Sequence, residues 1–242
     1  MAKSAPKLTA SICLLPESQD QRVSNTVREN GNWEADLQEF LFAKIFPKYP
    51  NAVFIDVEGH IGVYSISAAK LRQKVLTFEP TAETLKFLTH SIALNNLTNP
   101  IHLFTVAVME EGNTCAISRS NSKNIGSTQV LKQKMTNTTN SRPIQVSTLD
   151  NLLTIFRREN IKEAIVKMDI EVSEANAIFG GLHLLREIQI PVINMEFGWL
   201  KIPYHSNLPA DKEKKLLIGR FLRKCRLWVM FPQLRGNRPR KI

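Results

Sequence analysis

The sequence predicts an α/β fold, a doubly wound and mostly parallel sheet with helices on both faces. Three observations lead there. Short apolar, β-branched runs, among them "VFIDV" (53–57), "VLTF" (75–78) and "AIVKMDI" (164–170), read as strands buried on both sides. Amphipathic segments of helical length separate those runs. No internal repeat period is present, and six or so strands alternating with helices suit one α/β domain with extensions in a chain of 242 residues.

Taken in order, residues 1–30 are polar and mixed, and read as an irregular N-terminal arm. "NWEADLQEFLFAKIF" follows, with Trp33, Leu37, Leu41 and Ile45 spaced by four, a helical stripe. Val53 to Val57 is the first strand, Ile61 to Leu71 a helix and Val75 to Phe78 the second strand. Thr81 to Asn95 is helical, with Ala82, Leu85, Leu88 and Ile92 on one face, and Ile101 to Val108 reads as a third strand. Residues 110–142, rich in Ser, Thr, Asn, Lys and Gln, read as a strand-and-loop excursion. A strand then leads to a helix capped by Thr148 or Asp150, and strands are expected over Ala164 to Ile170, within "IPVINMEF" and over Leu227 to Phe231. Between the last two, Asp211 to Lys224 has the pattern of a charged amphipathic helix. The domain spans 31–232, and 233–242 reads as a basic C-terminal tail.

Charge is unevenly placed. Residues 201–242 carry 12 Lys/Arg against 2 Asp/Glu, an excess that accounts for the whole chain's +10. Such an end suits contact with an anionic surface. Its Leu216, Leu217, Phe221 and Leu222 equally suit a packed helix whose cations face water. Cys13, Cys115 and Cys225 are odd in number and widely spaced, which fits reduced thiols in a cytoplasmic protein and no zinc site. No apolar run reaches the roughly 18–20 residues of a membrane span, and no signal peptide is recognised.

Acids stand at the ends of several expected strands: Asp56, Glu79, the Asp169/Glu171/Glu174 group, and Glu196. In open α/β sheets ligands bind at the carboxyl ends of strands. Glu79 lies 23 residues after Asp56, close to the spacing at which an acid meets ribose hydroxyls. Gly59 and Gly62 allow a ligand close to the backbone, or equally only shape a tight turn, and His60 lies inside that turn. Asp169 and Glu171 share one face of a strand, where paired carboxylates suit general-base work. Lys167 could instead neutralise them, and Ser173 and Glu174 could be a helix cap. The histidines have no metal-ligand spacing, and neither a Gly-x-Ser-x-Gly elbow nor a phosphate-binding loop is present.

The stretches "NGNWE", "FIDVEGHIGVYSISAAKL", "VLTFEP", "STLDNLL", "VKMDIEVSEANAIFGG" and "PVINMEF" occur in the order found in the FkbM-type methyltransferases, and the chain resembles that family over about residues 20–230. The resemblance implies a seven-stranded, Rossmann-like class I methyltransferase sheet that binds S-adenosylmethionine. It places Asp56, Glu58, Gly59, His60 and Gly62 at the cofactor turn, and Glu79 with Pro80 at the ribose. It places Asp169, Glu171 and Glu196 near the reacting methyl group. The implied reaction is methylation of a hydroxyl on a sugar or small metabolite. Glu58 and Val172 stand where the family's motifs carry glycine, so the alternative is a binding protein of the same fold with impaired catalysis. A nucleic-acid partner is disfavoured, because "DIEV" stands where amino-methylating relatives carry Asp/Asn-Pro-Pro-Tyr/Phe.

Overall fold

The apolar, β-branched runs form strands where their composition predicts them. The structure is a computed structural model and describes residues 10–110, 114–118, 125, 129–131, 144–170, 173–196, 228–230 and 240–241. Two units make up the chain: Met1–Val106 with Ser118–Thr128, and Ala107–Ile117 with Gln129–Ile242. The fold is α/β and Rossmann-like, with mostly parallel strands joined by helices.

The first unit begins with helices α1 (Val23–Asn30) and α2 (Ala35–Glu39). Strand β1 (Val53–Val57) is buried at every position. Helix α3 (Val63–Lys70) follows, buried from Val63 to Ala69, its small Ser and Ala residues allowing close packing on every side. Strand β2 (Val75–Phe78), helix α4 (Ala82–Leu94) and strand β3 (Ile101–Phe104) complete the unit. The order is β1-β2-β3, both pairs parallel, with Asp56 in register with Thr77 and Phe78 with Phe104. The Phe78 and Phe104 rings stack at 4.8 Å between centroids, which fixes that end of the pair.

The second unit holds two sets of strands. Strands β4 (Ala107–Val108), β5 (Thr114–Ser118), β6 (Gln129–Leu131) and β7 (Ile144–Ser147) form a small sheet of order β4-β7-β5-β6. A 3-10 turn over Leu149–Leu152 leads into α5 (Leu153–Arg158) and then strand β8 (Glu163–Met168). Helices α6 (Glu174–Phe179) and α7 (Leu182–Glu187) precede the long strand β9 (Gln189–Glu196). Strand β10 (Trp228–Met230) runs parallel to β9, and β11 (Arg240–Lys241) antiparallel to β10. Among the described residues no helix is long and apolar enough to cross a membrane.

Four expectations need correction. The stretch Ile101 to Val108 is two strands, because Ala107 and Val108 pair with β7 while Ile101–Phe104 pairs with β2. The helix expected from Trp33 onward is regular only over α2. It then widens into a π-helical stretch, Phe40–Ile45, and ends in a 3-10 turn at Phe46–Lys48, where Pro47 supplies no N–H. The irregular arm gives way to helix α1, whose start is fixed by the Asp20 carboxylate. Its Oδ1 accepts from the N–H groups of Arg22 and Val23 at 3.1 and 3.0 Å, and its Oδ2 from Ser24 at 2.7 Å. The basic tail is not wholly free, since Arg240 and Lys241 satisfy backbone groups along the edge of β10. The helix expected over 211–224 lies outside the described residues.

Asp150 and Thr148, offered as alternative caps, divide the work. Thr148 Oγ1 accepts from Asn151 N–H in its own turn, while Asp150 Oδ1 accepts from Leu184 N–H of α7 at 2.8 Å. Gly180 ends α6 with no room for a side chain. A Cβ there would run into the carbonyl oxygen of Met109, which is backbone and cannot swing away. Gly180→Ala is therefore expected to destabilise the protein by about 1–3 kcal/mol, measured by urea unfolding.

Candidate functional site

The β1–α3 connection is built from backbone that most residues avoid. Glu58 has φ 68, His60 φ 52 and Gly62 φ 92. A left-handed conformation costs a residue with a Cβ roughly 1–2 kcal/mol, so Glu58 and His60 are held there by their surroundings. The hold is visible. The N–H groups of Glu58 and Gly59 both donate to the Phe78 carbonyl at 2.9 Å, and Gly62 N–H donates to Gly59 O at 2.8 Å. Gly59 is required by space, since a Cβ would strike Thr77 Cγ2.

Glu79, at the end of β2, is the centre of this turn. It is 1% exposed. Its Oε2 accepts from His60 N–H at 2.8 Å, and its Oε1 accepts from Thr81 N–H at 2.8 Å and Thr84 Oγ1 at 2.7 Å. One carboxylate thus ties the turn after β1 to the start of α4, with Pro80 half-buried between them. Burial pushes the Glu79 carboxyl up to about 7, against the opposing pull of its hydrogen bonds from Thr84, Thr81 and His60. Asp56 is buried beneath the turn, where its Oδ2 accepts from Ser65 Oγ at 2.5 Å, and Ser65 Oγ also pairs with Thr77 Oγ1 at 2.7 Å.

The N-terminal arm lies against the same turn. Leu15, Ile61 and Val63 share a buried cluster to which Ile12, Leu14, Trp33 and Phe87 add. Cys13 N–H donates to Ser91 Oγ at 2.9 Å, and Ser11 and Asn95 exchange two hydrogen bonds along α4. Burial raises the Asp20 carboxyl, but hydrogen bonds from Ser24 and attraction to His60 outweigh it and hold the group below its ordinary value. Glu34, at the start of α2 with φ 50, accepts from Tyr64 OH of α3 at 2.6 Å.

The structure therefore brings Asp56, Glu58, Gly59, His60, Gly62, Glu79 and Pro80 together on one turn and one strand end. Glu58 retains the left-handed conformation that a glycine would adopt. In the second unit, Asp169 follows the end of β8 and Glu196 ends β9, each two residues past the Lys167↔Asn194 register pair. Lys167 Nζ is 3.5 Å from Asp169 Oδ2. Glu171 and Val172 lie outside the described residues. Sequence reasoning missed Thr84, Ser65 and Asp20. Thr84 had a signal, being a buried-face hydroxyl in the first turn of a helix that opens on an acid.

Comparison with known proteins adds a family. Residues 56–216 match the family described as Methyltransferase FkbM domain. No curated protein matches the chain. Among solved structures, yeast methylglyoxal/isovaleraldehyde reductase Gre2 complexed with NADPH is similar at 12% identity and a TM-score of 0.39. That similarity covers 74% of this chain and 56% of the reductase, so the chain spans little more than half its length.

Two outcomes are expected from this geometry. Glu58→Gly should stabilise the protein by about 1 kcal/mol in urea unfolding, because glycine enters the left-handed region without strain. The second concerns pH. Folded Glu79 keeps its proton up to about pH 7, whereas the ordinary value is 4.5. Between these values the folded state binds more protons, so this carboxyl's contribution is complete below the lower value and is lost as pH rises to the upper one. The loss is roughly 3 kcal/mol. Glu79→Gln should flatten that fall, read from urea midpoints at about pH 5 and about pH 8, and parallel pH profiles would contradict it.

Proposed function

Because the chain belongs to the FkbM methyltransferase family, we propose that it is an S-adenosylmethionine-dependent O-methyltransferase acting on a hydroxyl of a sugar or small metabolite. The observation that carries the reading is the turn itself. Glu58 replaces a motif glycine yet adopts φ 68, so the backbone shape that a cofactor would meet is kept.

Residues of the turn, Glu58 to Gly62, would face the cofactor through their backbone, and Glu79 has a lone pair left on Oε2 for a ribose hydroxyl. S-adenosylmethionine, when bound, supplies a methyl group made electrophilic by its sulfonium. The chain's own task is to orient the acceptor hydroxyl and take its proton. Asp169, whose side chain is 39% exposed, is the reachable base, and Lys167 holds it from one side.

A second reading has its own support. Both Glu79 oxygens are already engaged by the protein, and the group is buried. That favours a binding protein that keeps the fold but binds the cofactor poorly. Calorimetry or thermal shift separates the two: the enzyme reading expects saturable stabilisation by S-adenosylmethionine and S-adenosylhomocysteine, and no stabilisation at millimolar ligand decides for the second. With an acceptor found by screening hydroxylated metabolites for methyl incorporation, Asp169→Asn is expected to lower kcat by about 10²–10⁴-fold with cofactor affinity unchanged.

A further inference from the structure

Glu34 suits neither the helix it starts nor the backbone it adopts. It stands at the head of α2, where short polar side chains serve as caps, yet its side chain makes no capping bond. Its backbone is left-handed, at φ 50 and ψ 53, which a residue with a Cβ adopts only where its surroundings hold it. The carboxylate is fixed instead by a neighbour. Oε2 accepts from Tyr64 OH at 2.6 Å, and Tyr64, in the first turn of α3, is buried.

Aromatic contacts show which end of β1 this carboxylate lies beside. The helical run that begins with α2 finishes with Phe46 against Phe54, near the start of β1, with ring centroids 5.5 Å apart. Earlier in the run Phe42 meets Tyr64, at 6.1 Å. Glu34, at its head, reaches the Tyr64 hydroxyl. The run therefore starts by the carboxyl end of β1, where the Glu58–Gly62 turn lies, and finishes by the amino end. Trp33 packs on the cluster that holds Ile61 of that turn and Val63. Glu34 is half-buried at this rim, and it precedes the 56–216 stretch that matches the family.

The chemistry of the carboxylate selects its ligand. Glu79 is engaged by His60, Thr81 and Thr84, Asp56 by Ser65, and Asp20 by the start of α1. Glu34 Oε1 accepts no hydrogen bond among the described residues. A carboxylate oxygen so placed attracts a cation that carries N–H groups and repels an anion. The methionine part of S-adenosylmethionine carries such a cation. We infer that Glu34 Oε1 accepts a hydrogen bond from the α-ammonium group of the cofactor, with Tyr64 as the positioning residue that holds the carboxylate. The inference rests on the methyltransferase reading and adds a cofactor contact ahead of β1.

Calorimetric titration of the full chain tests it with two probes. One is S-adenosylhomocysteine, which has the ammonium and no sulfonium. The other is 5′-S-(3-carboxypropyl)-5′-thioadenosine, the same molecule without its amino group. Glu34→Gln is expected to weaken S-adenosylhomocysteine binding at least about tenfold and not to weaken binding of the deaminated probe. Glutamine keeps an acceptor for Tyr64 OH, so the thermal midpoint should stay close to that of the unaltered protein. Tyr64→Phe should weaken S-adenosylhomocysteine several-fold with the same selectivity, which a loss of structure alone would not produce. Undiminished S-adenosylhomocysteine binding in Glu34→Gln overturns the inference, and so does an equal loss for both probes. If the unaltered protein binds neither probe at millimolar concentration, the methyltransferase reading falls and this inference falls with it.

Discussion

Everything in the first unit that resembles a ligand site hangs on one buried carboxylate. Glu79 takes N–H groups from His60 and Thr81 and the hydroxyl of Thr84, so it joins the turn after β1 to the start of α4. That anchor is one of the contacts that oppose the strain at the left-handed residues Glu58 and His60. The same burial that makes the anchor strong raises the carboxyl's proton affinity to the neutral range. A group expected to meet a ribose is thus first a structural member of the turn. The turn after β1 and the start of α4 are coupled at one residue.

That coupling explains how Glu58 is accommodated. A turn that depended only on glycine's freedom would relax when the glycine is replaced. Here two N–H groups converge on Phe78 O, Thr77 leaves no room for a side chain at the neighbouring Gly59, and Asp56 is fixed from below by Ser65. The backbone is over-determined, so a side chain at position 58 changes the energy more than the shape. The arm adds to this by placing Leu15 against Ile61 and Asp20 within electrostatic reach of His60.

Strands β1, β2, β8 and β9 were legible because β-branched apolar runs with few polar interruptions have few alternatives. The positions of Asp56, Glu79 and Asp169 at strand ends followed from those runs. Other features were not legible, for physical reasons. Asp20 lies in a polar arm, and its capping role depends on Ser24 folding back toward it. The break after Phe104 is set by a change of strand partner, which local composition does not encode. Asn194 sits inside the apolar run "IPVINMEF", where only the register with Lys167 reveals its polar neighbour. The Arg240–Lys241 strand is basic and short, and pairing, rather than propensity, makes it a strand.

Under the proposed function, the Glu58–Gly62 turn works as a cofactor turn with Glu58 at a motif-glycine position. A crystal structure of the protein grown with S-adenosylhomocysteine tests it most directly. The account expects the ligand against the Gly59–His60 backbone, a ribose hydroxyl within hydrogen-bond distance of Glu79, and Glu58 still at positive φ. A ligand bound elsewhere, or a turn whose Glu58 leaves the left-handed region when the ligand binds, would contradict it.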